Sequence, residues 1–275
     1  MMSGGDGFTT LFSRQAKQRD ARAQDIRVKR FESEEMGISN AGIEDKRFVI
    51  ITGFIEGSDT PIADSVRIGE GDFVVCADSG YRYAEREGVK PDLIIGDFDS
   101  GDAADARKLG VEVVAVDPVK DDTDTLLCIK RGMGMGYRKF VIVGGIGGSY
   151  YHTEANIQNL SFMTDLELDA EIATPRETIF MLDGRKVKIG AEYSISEVGE
   201  EGVAVIAGSP GDKFSVFSFT ERSTGVSIKG AKYELDDYVL TQSYAIGAGN
   251  EIASGTGEAV VRVGVGRLLL VVEKS

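Results

Sequence analysis

The sequence holds one histidine, two cysteines and no apolar run approaching the roughly 18 residues that a membrane-spanning helix requires. No membrane association is therefore expected. The N-terminus, MMSGGDGFTTLFSRQAKQRD, also lacks the charged-then-apolar order of a secretory signal. The two cysteines, Cys76 and Cys128, sit inside apolar stretches without metal-ligand spacing. They read as reduced core residues of a cytoplasmic protein. Positive charge is scarce as well. The chain carries 31 Lys/Arg against 45 Asp/Glu, a net charge of −14, which argues against a nucleic-acid partner.

The charge is uneven. Residues 1–46 hold eight Lys/Arg and eight Asp/Glu, so the whole deficit belongs to residues 47–275. That neutral, polar first segment reads as a flexible tail, or a frayed helix around Ser13–Phe31. An acidic chain that binds phosphates needs a local countercharge, from a few placed Lys/Arg or from a divalent cation.

What is present begins at Phe48. Short apolar runs at Phe48–Ile51, Phe73–Ala77, Leu93–Ile95, Val111–Val116 and Phe140–Val143 alternate with helical patterns at Tyr81–Glu87, Thr123–Arg131 and Thr153–Met163. That alternation predicts an α/β layer with a mostly parallel sheet over 47–170, with ligands beyond the carboxyl ends of its strands. From 171 to 275 the runs turn β-like. They fall at Ala170–Ala173, Thr178–Leu182, Lys186–Ile189, Val203–Ile206, Phe214–Phe219, Val226–Lys229, Tyr238–Leu240, Ala259–Val263 and Leu268–Val272. Turn residues between them predict a β-sandwich or barrel of roughly 100 residues.

The chemistry-bearing residues fall at the predicted strand ends. Asp78 follows an apolar strand and precedes Ser79-Gly80. Asp97 and Asp99 follow another, two residues apart, so an extended backbone projects both to one side with Phe98 opposite. Two adjacent carboxylates repel unless a cation or a proton sits between them, and magnesium accepts such oxygen ligands together with substrate phosphates. Turn preference alone would also place aspartates here. Lys120-Asp121-Asp122-Thr123-Asp124 ends a third strand; Thr123 can cap the helix after it, while an Asp can bind metal or take a proton and Lys120 can neutralise a phosphate. The run Gly144-Gly145-Ile146-Gly147-Gly148 is a glycine-rich turn before a helix, suited to close backbone approach by a phosphate. No Gly-Lys-Ser/Thr follows it, so it is not a Walker A loop. Beyond it comes His152, in the mouth of the same site.

In this order the pieces resemble the thiamine pyrophosphokinase family. Ala77–Gly80 and Lys90–Ser100 are similar to its ADGG and KPDLIVGDFDS signatures, and Lys120–Asp124 to its KDxTD. Gly147–Ile157 resembles GGRxDHxxANI, Thr224–Leu235 resembles TGvtlkGlKYpL, and Ala248–Glu251 falls where the family has SNE. The resemblance implies a Rossmann-like α/β domain that holds ATP and Mg2+, then a β-sandwich for thiamine binding and dimerisation. It also implies a homodimer with thiamine sites at the subunit interface, and transfer of a diphosphoryl group from ATP to the hydroxyethyl oxygen of thiamine, releasing AMP. Carried over residue by residue, it makes Asp78, Asp97, Asp99 and Asp124 metal ligands. Asp124, Asp121, Lys120 and His152 become catalytic. Asp78, Ser79, Gly80, Thr123, Gly147, Gly148, Asn156 and Asn250 become substrate-binding, with Asn250 reaching thiamine from the neighbouring subunit. Four positions depart from the pattern: Ser149 replaces Arg, Tyr151 replaces Asp, Asp122 replaces Gln and Gly249 replaces Ser. They leave two further readings, a diphosphokinase with another hydroxymethyl acceptor such as a pterin, and a weakened nucleotide- or thiamine-binding sensor.

Overall fold

The computed structural model describes residues 43, 45–57, 59–98, 103–184 and 202–274. Nearly all of the expected tail 1–46, the strand expected at Lys186–Ile189 and the expected metal ligand Asp99 lie outside the described residues.

Six apolar runs form a parallel array: β1 (Arg47–Ile51), β2 (Phe73–Ala77), β3 (Leu93–Gly96), β4 (Glu112–Ala115), β5 (Lys139–Val143) and β6 (Asp169–Ala173). Their spatial order is β4-β3-β2-β1-β5-β6. The chain therefore runs outward from β1 in one direction, then returns to add β5 and β6 on the other side. Such a reversal opens a crevice at the carboxyl ends of the two adjoining strands. Helices α1 (Ile62–Ser65), α2 (Tyr81–Arg86), α3 (Ala103–Arg107), α4 (Asp124–Gly134) and α5 (Tyr150–Asp165) join the strands. Strands buried on both faces read as unbroken apolar runs, which is why β1, β2 and β5 were legible. Val49, Ile51, Val74, Cys76 and Ile94 face the cluster holding Ile62 of α1 and Tyr81 and Ala84 of α2. On the opposite face Phe48 stacks on Phe73 at 5.2 Å, and Gly132 of α4 comes so close that a Cβ there would meet the rings of Phe48 and Phe140.

The sheet does not stop at β6. β7 (Glu177–Asp183), β14 (Arg267–Glu273), β9 (Lys213–Ser218) and β12 (Asn250–Glu251) extend it antiparallel to ten strands. Residue 170 lies inside β6, so the division expected at 170/171 falls within a strand bonded on both sides. A separate antiparallel sheet comprises β11 (Leu235–Thr241), β10 (Arg222–Lys229), β13 (Glu258–Arg262) and β8 (Val203–Ala207). One core joins the two sheets, with Phe180, Leu182, Phe214 and Leu268 from the first meeting Ile206, Val226, Ile228 and Val261 from the second. The fold is thus a mixed sheet with a parallel core plus a separate antiparallel sheet.

Arg267 ties these parts together. Its guanidinium donates to Asp183 on the paired strand at 2.6 Å, and to Asp165 at 2.8 Å and Ser161 in the last turns of α5. A charge this deeply buried is tolerated only when its donors are satisfied, and here several are. The helix expected at Thr153 begins three residues earlier, at Tyr150. Tyr150-Tyr151-His152 offers no helical spacing of buried apolar residues, so this turn was invisible in the pattern.

Glu171, on β6, is a buried carboxyl whose Oε2 has no hydrogen-bond partner. Burial pushes its pKa up to about 7, with Arg47 and Lys274 pulling it back down. Lys274 spends its ammonium on the carbonyls of Asp64, Ser65 and Thr174. A carboxyl whose folded pKa exceeds its unfolded value stabilises the fold below the unfolded pKa, and that stability is lost as pH rises through the folded one. The expected contribution, on the order of 3 kcal/mol, disappears between about pH 4.5 and 7. Urea unfolding across that range should show Glu171→Gln gaining stability over the parent as pH rises. Parallel pH profiles for the two proteins would refute the assignment.

Candidate functional site

The crevice predicted by strand order is present. A cleft of about 570 Å³ opens beyond the carboxyl ends of β1 to β5. Its walls are Thr52–Phe54 after β1, Ala77–Ser79 after β2, Asp97 after β3, Pro118, Lys120 and Asp122–Thr125 after β4, and residues between Gly145 and Asn156 after β5.

Lys120 is the centre of its charge. Its Nζ donates to Asp97 Oδ2 at 2.6 Å and to Asp124 Oδ1 at 2.7 Å, and its side chain is 15% exposed. Burial works to lower the pKa of Lys120, but the hydrogen bonds it donates to Asp124 and Asp97, with their negative charges, outweigh it and raise the pKa. Asp124 is also raised, first by burial, and then by the negative charges of Asp97 and Asp78, with Lys120 opposing. One ammonium shared between two acids, with a third in range, leaves Asp124 short of countercharge. The surplus of negative charge raises Lys120 and adds to the effect of burial on Asp124.

Asp78 sits at φ 47°, a left-handed conformation that Asp tolerates better than most residues, and its Oδ1 is buried without a hydrogen-bond partner. Gly96 makes this possible. A Cβ at Gly96 would lie 2.7 Å from Asp78 Cα, so only glycine lets the end of β3 pass so near the end of β2. After Gly96 the extended geometry inferred from the Asp97/Asp99 spacing fails. Phe98 has φ 58° and turns into the core, so the chain bends at this point. A non-glycine residue held there costs on the order of 1–3 kcal/mol, a strain common at functional sites.

The glycine-rich turn is fixed by side chains on both flanks. Gly145 (φ 74°) donates its N–H to the Phe54 carbonyl at 2.7 Å, and its own carbonyl accepts from Asn156 Nδ2 at 2.8 Å. Thr52 Oγ1 donates to the carbonyl of Val143 at 2.9 Å, joining the ends of β1 and β5. Thr153 Oγ1 accepts from Gly147 N at 3.0 Å. Thr52, Phe54 and Thr153 were not singled out in the sequence. Thr52 and Phe54 carry no motif and Thr153 fills an unspecified position of the Gly147–Ile157 run, so the fold is what shows their part in holding the turn. Asn156 lines the cleft, but its amide is committed to holding Gly145.

The remaining expected residues divide. Ser79, Thr123, Gly147 and His152 line the cleft, and Thr123 caps α4 by accepting from Leu126 N. Gly80 and Gly148 are not among the lining residues: a Cβ on buried Gly80 would strike the Ile51 carbonyl, and exposed Gly148 lies against the Phe54 ring. Asp121 is exposed and outside the cleft lining, whereas Asp122 lines it and is paired with Lys130 at 2.6 Å. The extra negative charge at Asp122 is therefore locally offset. Asn250 is not brought to this chain's cleft. It is buried in β12, where its amide donates to the Tyr233 carbonyl at 2.8 Å and accepts from Tyr233 N and Glu251 N.

Among the described residues, no group of three or more acidic, histidine or cysteine side chains is gathered around a single point that could hold a metal ion. The donor chemistry nevertheless suits an oxygen-preferring cation. Asp78 Oδ1 is an orphaned buried acceptor, and Asp97 and Asp124 share one ammonium. Magnesium is commonly held by one or two carboxylates, its shell completed by substrate phosphates and water.

If Gly96 sets the approach of the two strand ends, Gly96→Ala should lower unfolding stability by about 1–3 kcal/mol through overpacking against Asp78. Gly134→Ala, in α4 with nothing within 4 Å of the added methyl, should change it by less than about 1 kcal/mol and in the stabilising direction. Chemical denaturation of both variants checks the pair; equal losses would contradict the reading.

Comparison with known proteins identifies the family and the fold. The profile described as thiamin pyrophosphokinase, catalytic domain, matches residues 68–172, and that described as thiamin pyrophosphokinase, vitamin B1 binding domain, matches residues 203–268. Together they span more than half of the chain. No curated protein matches it. Among solved structures, thiamine pyrophosphokinase from Bacillus subtilis is similar in fold, with TM-score 0.64 and 18% identity over 84% of this chain and 99% of that one. Thiamin pyrophosphokinase from Candida albicans gives 0.62 and 15% over 83% and 90%. The yeast enzyme gives 0.60 and 15% over 86% and 88%. With both domain profiles matched in order, the chain belongs to the thiamin pyrophosphokinase family.

Proposed function

We propose that the cleft carries out the reaction of its family, moving a diphosphoryl group from ATP to the hydroxyethyl oxygen of thiamine and releasing AMP. The observation that carries this reading is Lys120, held between Asp97 and Asp124 at the junction of five strand ends. Diphosphoryl transfer asks for neutralised phosphate charge and an alcohol aligned with the β-phosphorus. Lys120 supplies a fixed positive charge. The start of α5 would supply backbone N–H groups for phosphate oxygens, whereas Gly144, Gly145 and Gly147 donate theirs within the protein and shape the turn beside it.

Asp124 is the better of the two candidate acids to orient the alcohol and accept its proton. It lines the cleft, and burial favours its protonated form, whereas Asp121 lies outside. His152, exposed in the first turn of α5, contributes at the mouth as a positioning group. Asp78, Asp97 and Asp124 would hold Mg2+, together with Asp99 on the family resemblance alone, and the ion would neutralise phosphate charge when bound. The matched vitamin B1 binding profile favours thiamine over a pterin as acceptor. We read the α/β part as Rossmann-like on its strand order, and the β part as a sandwich on the core shared by its two sheets. A homodimer with thiamine at the interface fits the cleft, whose lining among the described residues contains none of the B1-binding segment. Free, buried Cys76 and Cys128 suit the cytoplasm.

Purified protein given ATP, Mg2+ and thiamine should release AMP and thiamine diphosphate in equal amounts, and chelation should abolish both. Lys120→Met and Asp97→Ala should each lower kcat by about 10²-fold or more. Turnover of a pterin alcohol without turnover of thiamine, or tight thiamine binding with no AMP, would overturn the reading.

A further inference from the structure

Two large aromatic side chains border the cleft without a place in the chemistry above. Phe54 is 37% exposed and Tyr151 is 69% exposed, although burying such rings is ordinarily favourable. Both stand beside the glycine-rich turn. The Phe54 ring lies against Gly147 and Gly148, where an added Cβ would come within 3.1 Å and 2.9 Å of it. The Phe54 backbone is independently fixed, since its carbonyl accepts from Gly145 N and Thr52 Oγ1. Tyr151 projects from the first turn of α5 and rests on His152, with ring centroids 4.1 Å apart. The floor of the same cleft holds Asp78, Asp97, Asp124 and Lys120. A charged floor beside an aromatic rim matches a ligand with a polyanionic end and a flat heteroaromatic end.

We propose that Phe54 and Tyr151 form a stacking platform for the base of the bound nucleotide, and that these two rings set base affinity in this chain. The inference rests on the reading of the cleft as the nucleotide site. The nucleotide's ring is favoured over the acceptor's because both side chains flank the glycine-rich turn and the first turn of α5, the elements read above as facing the nucleotide's phosphates. Phe54 also precedes the segment matched by the catalytic profile, which begins at residue 68. Stacking on an aromatic side chain tolerates any base, because every base presents a π-face. The platform therefore adds affinity without strict base choice.

The test uses direct binding to the full-length protein with Mg2+ and no thiamine. ATP is compared with inorganic tripolyphosphate, which has the charge but no base. Phe54→Leu and Tyr151→Ser should each weaken ATP binding about tenfold, within the range of a lost base–aromatic stack, and leave tripolyphosphate binding unchanged. Phe54→Tyr, which keeps a ring, should bind ATP as the parent does. Equal weakening of both ligands would mean that the rings only support the phosphate turn, and would overturn the proposal. Unchanged ATP affinity with a raised KM for thiamine would assign the rings to the acceptor, and overturn it too. A parent protein that binds ATP but never converts thiamine would sink the proposed reaction while leaving this comparison readable.

Discussion

The acidic cleft depends on one ammonium held between two carboxylates. Lys120 is the ammonium that Asp97 and Asp124 share, and the negative charges of Asp97 and Asp78 act on Asp124 to favour its protonated form. Lys120 holds the acids in place but does not satisfy them. Asp78 keeps an orphaned oxygen, and Asp124 remains raised. A site left short of positive charge is one that a cation and a polyphosphate together can complete.

The cluster in turn depends on backbone that only small residues permit. Gly96 lets the end of β3 pass against Asp78, and Gly145 lets the turn close under Asn156. Thr52 and the Phe54 carbonyl hold that turn from the β1 side. The strand order reverses between β1 and β5, so these two ends are where the sheet leaves room. Arg267 pins the far end of α5 to β7 and β14, so the helix whose first turn carries Tyr151 and His152 is anchored in the antiparallel part of the sheet.

Much of this was legible beforehand. The buried strands announced themselves as apolar runs, and Asp78, Asp97, Lys120 and Asp124 stood at their carboxyl ends, where the cleft lies. The less legible parts share a cause. Phe98 bends the chain where alternation implied an extended pair, because a single left-handed residue leaves no periodic trace. The first turn of α5 was hidden because its aromatic residues face solvent, and hydrophobic periodicity reports only buried faces. The short α1, α3 and β12 are too brief to establish a period. The continuous sheet across residue 170 was also out of reach, since β6 looks the same whether its neighbour is parallel or antiparallel.

The acidic cluster shows where the division lies. By itself the sequence determined which residue types occur, in what order, and that they follow strands; those properties are local and survive in a linear string. Tertiary structure decided which of them meet. It brought Lys120 between Asp97 and Asp124, kept Asp121 outside, committed Asn156 and Asn250 to backbone carbonyls, and set Phe54 against a turn some ninety residues away. Strand order and the close approach of glycines fix those meetings, and both arise from packing between segments that the linear sequence does not relate.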